Sequence, residues 1–287
     1  MRAGRDRKVS QRQTPNRYDR RDHDLSILAT VRAALRDGRL LFAFQPVVCA
    51  ATGKVDYFEC LLRMREPEGS IVAGGEFITI IEQLGSIGLI DGYVLEQTVQ
   101  ELANYPEIRL GLNISSLTAC DERWLRSLIL MMRGRPDLAR RLIVEITETA
   151  ALQDVEEAAR FVDALHGVGC RVALDDFGAG HTSLRQLQTL GVDTVKIDGS
   201  LIRNISDHEE KRLVLHQLLA LIKSFGFTTV AEGIENAEDA AMVRAEGFGY
   251  LQGYHLGLPT IERSWLGVVP DKAATIDESE FVPDRLG

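Results

Sequence analysis

This chain has little of what would staple, anchor or array a protein. Its 287 residues include only four cysteines. Cys49, Cys60, Cys120 and Cys170 lie far apart, with no CxxC or Cys/His ligand spacing, which excludes a disulfide framework or a zinc knuckle. With no secretory signal ahead of them, they read as free thiols in a reducing cytoplasm. No apolar run approaches the roughly 20 residues that cross a bilayer, and no solenoid period repeats. Positive charge is also short, and the net charge of -9 argues against a nucleic-acid polymer as partner. A small anionic ligand held through metal ions remains compatible with that balance. At 45% hydrophobic and 26% charged, the chain can bury a large core without a cofactor to fold it.

The most informative stretch is Val172-Ala173-Leu174-Asp175-Asp176-Phe177-Gly178-Ala179-Gly180. An apolar strand is cut off by two adjacent carboxylates, which repel each other and resist desolvation unless a cation or proton offsets them. Neighbouring strand residues face opposite ways, so convergence of the pair needs a bend, for which Gly178 and Gly180 are the candidates. A turn whose aspartates cap the next helix is the plainer alternative. The same event recurs, however. Apolar runs meet a polar residue at Gln45, Glu59, Asn113, Glu145, Asp175, Lys196, Glu232 and Gln252, about eight strand ends, the number a (β/α)8 barrel needs.

Segments 1–24, 25–268 and 269–287 divide the chain into a polar, Arg-rich arm, one α/β barrel and an acidic tail. Apolar spacing becomes helical from Leu25 to Leu35. Strands at Leu41–Val48 and Tyr57–Met64 flank a short Ala51-Thr52-Gly53-Lys54 turn, which suits an antiparallel hairpin. The opening of the barrel should therefore be irregular. Helix and strand then alternate to His255, implying parallel strands with crossover helices. Asp154 is a fitting N-cap for the helix from Val155, with Glu156 and Glu157 in its first turn.

In such a barrel the carboxyl ends of the strands share the rim where active sites lie. Glu59, Asn113, Glu145, Asp175, Asp176, Lys196, Glu232 and Gln252 should converge there. Carboxylates and an amide, without His or Cys, suit Mg²⁺ or Mn²⁺, with Ca²⁺ as a third candidate, over zinc. A carboxylate shared by two ions would make a two-metal site, which points to phosphodiester hydrolysis. Metal-assisted enolisation with Lys196 as base, and a binding-only site, are the rivals.

Glu59-Cys60-Leu61-Leu62-Arg63, Asn113-Ile114-Ser115, Glu145-Ile146-Thr147-Glu148, Asp175-Asp176-Phe177-Gly178, Lys196-Ile197-Asp198, Glu232-Gly233-Ile234-Glu235 and Gln252-Gly253-Tyr254 follow in order. Through them the chain resembles the EAL-domain cyclic-di-GMP phosphodiesterases over roughly residues 25 to 265. The resemblance implies a TIM-like barrel with an antiparallel first strand, and cleavage of cyclic di-GMP to linear pGpG with two Mg²⁺ or Mn²⁺ ions, Ca²⁺ being inhibitory. It implies Glu59, Asn113, Glu145 and Asp175 as ligands of one metal. Asp175 would bridge to a second ion held by Asp176 and Glu232. Lys196 would position the attacking water, Gln45, Arg63, Glu235 and Gln252 would make substrate-side contacts, and Glu148 would hold the loop after the acid pair. A homodimer follows by family analogy, and a receptor that binds without turnover is the alternative. Cys60, Ala179 and His181 depart from the family's usual alanine, threonine and aromatic. Cys60 should point away from Glu59, while the loop differences bear on activity and regulation. The plainer roles are a surface ion pair for Arg63, satisfaction of backbone groups at a strand end for Gln252, and orientation of Lys196 or its strand for Asp198.

Overall fold

In a computed structural model, residues 17–119, 121–180 and 183–267 are described. Nine strands form one sheet: β1 (Leu40–Cys49), β2 (Val55–Arg65), β3 (Ile71–Ala73), β4 (Leu110–Ile114), β5 (Leu142–Thr147), β6 (Arg171–Phe177), β7 (Thr194–Ile197), β8 (Thr228–Ala231) and β9 (Tyr250–Leu251). Their order is β1-β9-β8-β7-β6-β5-β4-β2-β3, and β1 also pairs with β2. Eight strands therefore close into a barrel, with β3 appended to β2. From β4 to β9 every pairing along the barrel is parallel, whereas β1 runs antiparallel to both β2 and β9. The irregular opening follows from the turn at residues 50–54, too short for a crossover helix. The outer faces of this hairpin are covered instead by the chain's last described turn. Trp265 packs on Phe44 and Phe58, with ring centroids 4.8 and 5.0 Å away.

The main core lies between sheet and helices, where Leu112, Val144, Leu174 and Val195 meet Leu95, Leu128, Val162 and Leu187. A separate small cluster of Val47, Tyr57, Ile143, Ala173 and Val230 fills the barrel itself. Asp154 caps the helix Val155–Val168, accepting from Glu157 N at 2.9 Å, as its sequence position suggests. The first helix is described from Arg17 to Arg36, so the expected boundary at 24/25 falls inside it. Residues 1–16 and the tail 269–287 lie outside the described residues. The short helices Pro136–Ala139, Glu148–Gln153 and Gly199–Ile202 were not expected, because four to six residues carry too little apolar periodicity. Among the described residues no helix is long and apolar enough to cross a membrane.

Candidate active site

The barrel interior has an apolar floor and a charged upper layer, both set by the strand period of two. Tyr57, Ile143, Ala173 and Val230 belong to the floor. Two residues onward on the same strand faces stand Glu59, Glu145, Asp175 and Glu232. On antiparallel β1 the step reverses, from Val47 back to Gln45. Gln45 and Glu59 thus lie inside their strands, not at their ends as the apolar runs suggested. A charged residue is tolerated mid-strand because its partners enter the same layer from other strands.

At the centre is Lys196, fully buried. Its ammonium lies 2.7 Å from Glu145 Oε2, 2.9 Å from Glu232 Oε1, 3.0 Å from Asp175 Oδ1 and 3.3 Å from Glu59 Oε2. Amides complete the layer. Asn113 Nδ2 donates to Glu59 Oε1 at 2.6 Å, and Gln252 Nε2 donates to Glu59 Oε2 at 2.6 Å and Gln45 Oε1 at 3.2 Å. Gln45 Nε2 donates in turn to Gly257 O at 3.3 Å. Arg63, on the Glu59 face of β2, is buried and donates to Leu62 O at 3.1 Å, so it does not lie at the surface. Cys60 faces outward into the main core, away from Glu59 as expected.

The acid pair bends at Gly178, as expected, with φ of 99°, but not at Gly180, and Asp176 adds a turn of its own. Asp176 itself is left-handed, with φ of 57°, and the β6–β7 register shifts between Leu174 and Phe177. Asp is among the few non-glycine residues that enter this region, at a cost of about 1–3 kcal/mol. Ligand oxygens then fall into two groups, Glu59–Glu145–Asp175 and Asp175–Asp176–Glu232, each within 4.8 Å of one another. Asp175 belongs to both. Beyond the pair, Glu148 Oε2 accepts from Gly178 N at 2.9 Å and Gly180 N at 3.2 Å. Ala179 sits between these two anchored glycines, and His181 lies outside the described residues.

Electrostatics separate these groups. Burial alone would lower the Lys196 pKa, but Asp175, Glu145, Glu232 and Glu59 outweigh it and hold it well above the lysine range. Those acids hold Lys196 toward its ammonium form, the opposite of what a proton-abstracting base needs. Burial pushes Glu145 up to about 8 and Asp176 up to about 6, the latter helped by Asp175 and Asp198. It also raises Asp175, and Glu232 well above the carboxyl range. For Glu59, burial is outweighed by Lys196 and by the Gln252 and Asn113 hydrogen bonds, and the net effect is a lowered pKa.

Above this layer opens a cleft of about 600 Å³, walled in part by Glu59, Asp198, Arg203, Glu232, Glu235 and Gln252. Asp198 caps the turn Gly199–Ile202, its carboxylate accepting from Ser200 N at 2.9 Å. Glu235 Oε1 pairs with Arg203 Nε at 3.3 Å. Neither Arg203 nor Gly111 stands out in the sequence. Gly111 is bare because a Cβ there would overlap Glu145 Oε1 and stand 3.2 Å from Tyr57 Cε2. A lone glycine inside a strand was the available signal. For Arg203 the sequence held none, since it lies on no strand.

The EAL domain model matches residues 28–259. Cyclic di-GMP phosphodiesterase PdeF of Escherichia coli K12 is 30% identical over 239 residues, covering 82% of this chain and 32% of PdeF. PdeL of the same organism, also named a cyclic di-GMP phosphodiesterase, is 30% identical over 244 residues, covering 82% of this chain and 67% of PdeL. The chain spans between 28% and 32% of the length of the first curated relatives it matches. Among solved structures, the FimX EAL domain from Pseudomonas aeruginosa bound to c-di-GMP superposes with a TM-score of 0.76 at 25% identity, covering 82% of this chain and 97% of that one. With its barrel, its acidic layer and a family match over most of its length, this chain belongs to the EAL-domain family.

Proposed function

We propose that this chain is a two-metal cyclic-di-GMP phosphodiesterase, hydrolysing the cyclic dinucleotide to linear pGpG in the cytoplasm. The observation that carries it is the pair of overlapping acid groups sharing Asp175 beneath the cleft. Glu59, Glu145, Asp175, Asp176 and Glu232, if ionised, leave four negative charges uncompensated by Lys196, the charge two divalent ions would supply. The donor atoms fit such ions. Glu145 Oε1 is buried without a hydrogen-bond partner, a costly state unless something else binds it. Glu59, Asn113, Glu145 and Asp175 would hold one Mg²⁺ or Mn²⁺, and Asp175, Asp176 and Glu232 the second. When bound, such ions acidify water and neutralise charge on a phosphodiester.

The chain's own groups do the rest. Water adds to phosphorus, the phosphorus–O3′ bond breaks, and the departing O3′ takes up a proton, leaving a 5′-phosphorylated linear product. Lys196 adds a fixed positive charge beside the reacting centre, where it stabilises the attacking oxygen. Gln252 and Asn113 lock both Glu59 oxygens in orientation, and Glu148 fixes the loop that follows Asp176. Gln45, Arg63, Glu235 and Gln252 are the proposed substrate-side residues. The test is incubation with cyclic di-GMP and Mg²⁺ or Mn²⁺, followed by separation of nucleotides. Release of pGpG above a chelated control is expected. Its absence removes the enzyme claim, and tight binding without turnover would favour a receptor.

A further inference from the structure

Among the described residues lining the cleft, Arg203 is the only cation, facing Glu59, Asp198, Glu232 and Glu235. A cyclic dinucleotide carries two phosphodiesters on opposite sides of its ring. Only one can lie over the acidic layer at a time. The other brings a full negative charge against walls that are otherwise acidic or neutral, where it would be repelled.

The setting of Arg203 suits it to that charge. Its backbone is held on every side: its N–H donates to Gly199 O at 2.8 Å, and its carbonyl accepts from Lys211 Nζ at 2.6 Å. The next residue, Asn204, is left-handed with φ of 57°. Asn204 N and Ser206 N donate to the buried Asp239 carboxylate at 2.9 and 3.0 Å, and Asn236 Nδ2 does so at 3.0 Å. Asp239 thereby clasps the loop bearing Arg203 to the helix that follows Glu232–Glu235. The two loops touch through glycines, since a Cβ on Gly233 would stand 2.9 Å from Gly199 Cα and one on Gly199 would stand 3.5 Å from Arg203 Nη2. The guanidinium lies over this bare pair. Its side chain is 58% exposed, and so is its Glu235 partner at 59%. An exposed ion pair contributes little to folding, so fold stability does not account for a cation fixed this way.

We propose that Arg203 receives the second, uncleaved phosphate of the cyclic dinucleotide, exchanging Glu235 for a forked pair of hydrogen bonds to phosphate oxygens. This rests on the phosphodiesterase reading above. The experiment compares wild type, Arg203→Gln and Arg203→Lys, as full chains with Mn²⁺, on cyclic di-GMP and on bis(p-nitrophenyl) phosphate, which has no second phosphate. Arg203→Gln should raise KM for cyclic di-GMP about ten- to a hundredfold, with kcat changed far less. The loss on cyclic di-GMP should exceed that on the small diester by about tenfold. Arg203→Lys should recover part of it, because a point charge still meets the phosphate. Equal losses on both substrates, an unchanged KM, or no rescue by lysine would overturn the proposal. If wild type releases no pGpG, the phosphodiesterase reading fails separately, and calorimetric affinity for cyclic di-GMP then decides: weakening by Gln with recovery by Lys supports Arg203, and equal affinities refute it.

Discussion

Gly111→Ala tests whether the acidic layer is as tightly built as its geometry implies. Gly111 sits in ordinary strand backbone in β4, so alanine brings no conformational strain, and the loss of unfolded-state freedom would stabilise by about 0.4–1 kcal/mol. The added methyl, however, points into the barrel, where it overlaps Glu145 Oε1 and lies 3.2 Å from the carboxyl carbon. Restoring an ordinary contact of about 3.5 Å requires the carboxylate to retreat by about 1 Å. Glu145 has no free space to use, being fully buried and 2.7 Å from Lys196 Nζ. A shift of that size disturbs the Lys196 bond and the Glu59–Glu145–Asp175 group, whichever way the carboxylate turns. Overpacking costs about 1–3 kcal/mol, so net stability should fall by no more than about 2.6 kcal/mol. The melting temperature should drop by no more than about 10 °C. A 1 Å misplacement at the reacting centre costs about a hundredfold in rate. Calorimetric titration with Mn²⁺ and pGpG release, both well below the melting temperature, should therefore fall far more than folding does. A variant that binds Mn²⁺ like wild type and turns over within a few-fold of it would refute the packing argument.

Asp176→Asn keeps shape and tolerates the left-handed backbone while removing one negative charge. It should lower kcat far more than affinity for cyclic di-GMP, because the second ion stabilises charge that develops in the transition state; equal losses in both would contradict its role. Calcium should bind yet support little turnover, since its looser coordination positions water poorly, and strong pGpG release in calcium alone would count against a tight two-ion site. Burial holds Glu145 at about 8 and Asp176 at about 6, above the ordinary carboxyl values near 4. The folded chain keeps protons that the unfolded chain releases, so these two groups stabilise most near pH 4 and lose that contribution as pH rises to about 8. Melting in EDTA should fall across that interval, and Mn²⁺ should offset the fall by replacing protons with cations. A melting temperature that rises from pH 5 to pH 8 in EDTA would reverse the sign and refute the shifts.

The residues that meet in the charged layer were legible because burial makes a charge conspicuous. Glu145 and Lys196 interrupt runs of Ile, Val and Leu that only a sheet core would use, and their pairing explains why the interruption is tolerated. The antiparallel opening was legible too, since residues 50–54 leave no room for a crossover helix. What escaped was of a different kind. Gly178 bends as glycine should, with φ of 99°, but Asp176 turns left-handed as well, and side-chain identity ranks glycine first for any positive φ. Gln45 and Glu59 looked like strand ends because a polar residue usually closes an apolar run. Inside a barrel it can instead mark the boundary between two interior layers. Arg203 gives no periodic signal at all, and its placement depends on Asp239, 36 residues later in the chain.

The two layers also explain why one fold can carry so much like charge at its mouth. The apolar floor of Val47, Tyr57, Ile143, Ala173 and Val230 ties together β1, β2, β5, β6 and β8, the last four of which carry the carboxylates. Every carboxylate one step above is therefore placed by packing, not by its own preference. Repulsion among the acids then cannot relax by sliding a strand, since a one-residue slip would swap the interior and exterior faces and bury the charges against the helices. What remains is to supply positive charge. Lys196 provides it from within, held between four carboxylates contributed by β2, β5, β6 and the end of β8. One ammonium cannot neutralise the four carboxylates it touches, two of which, Glu59 and Glu232, also line the cleft. The same side chain thus secures the layer and leaves a deficit of positive charge beneath the cleft.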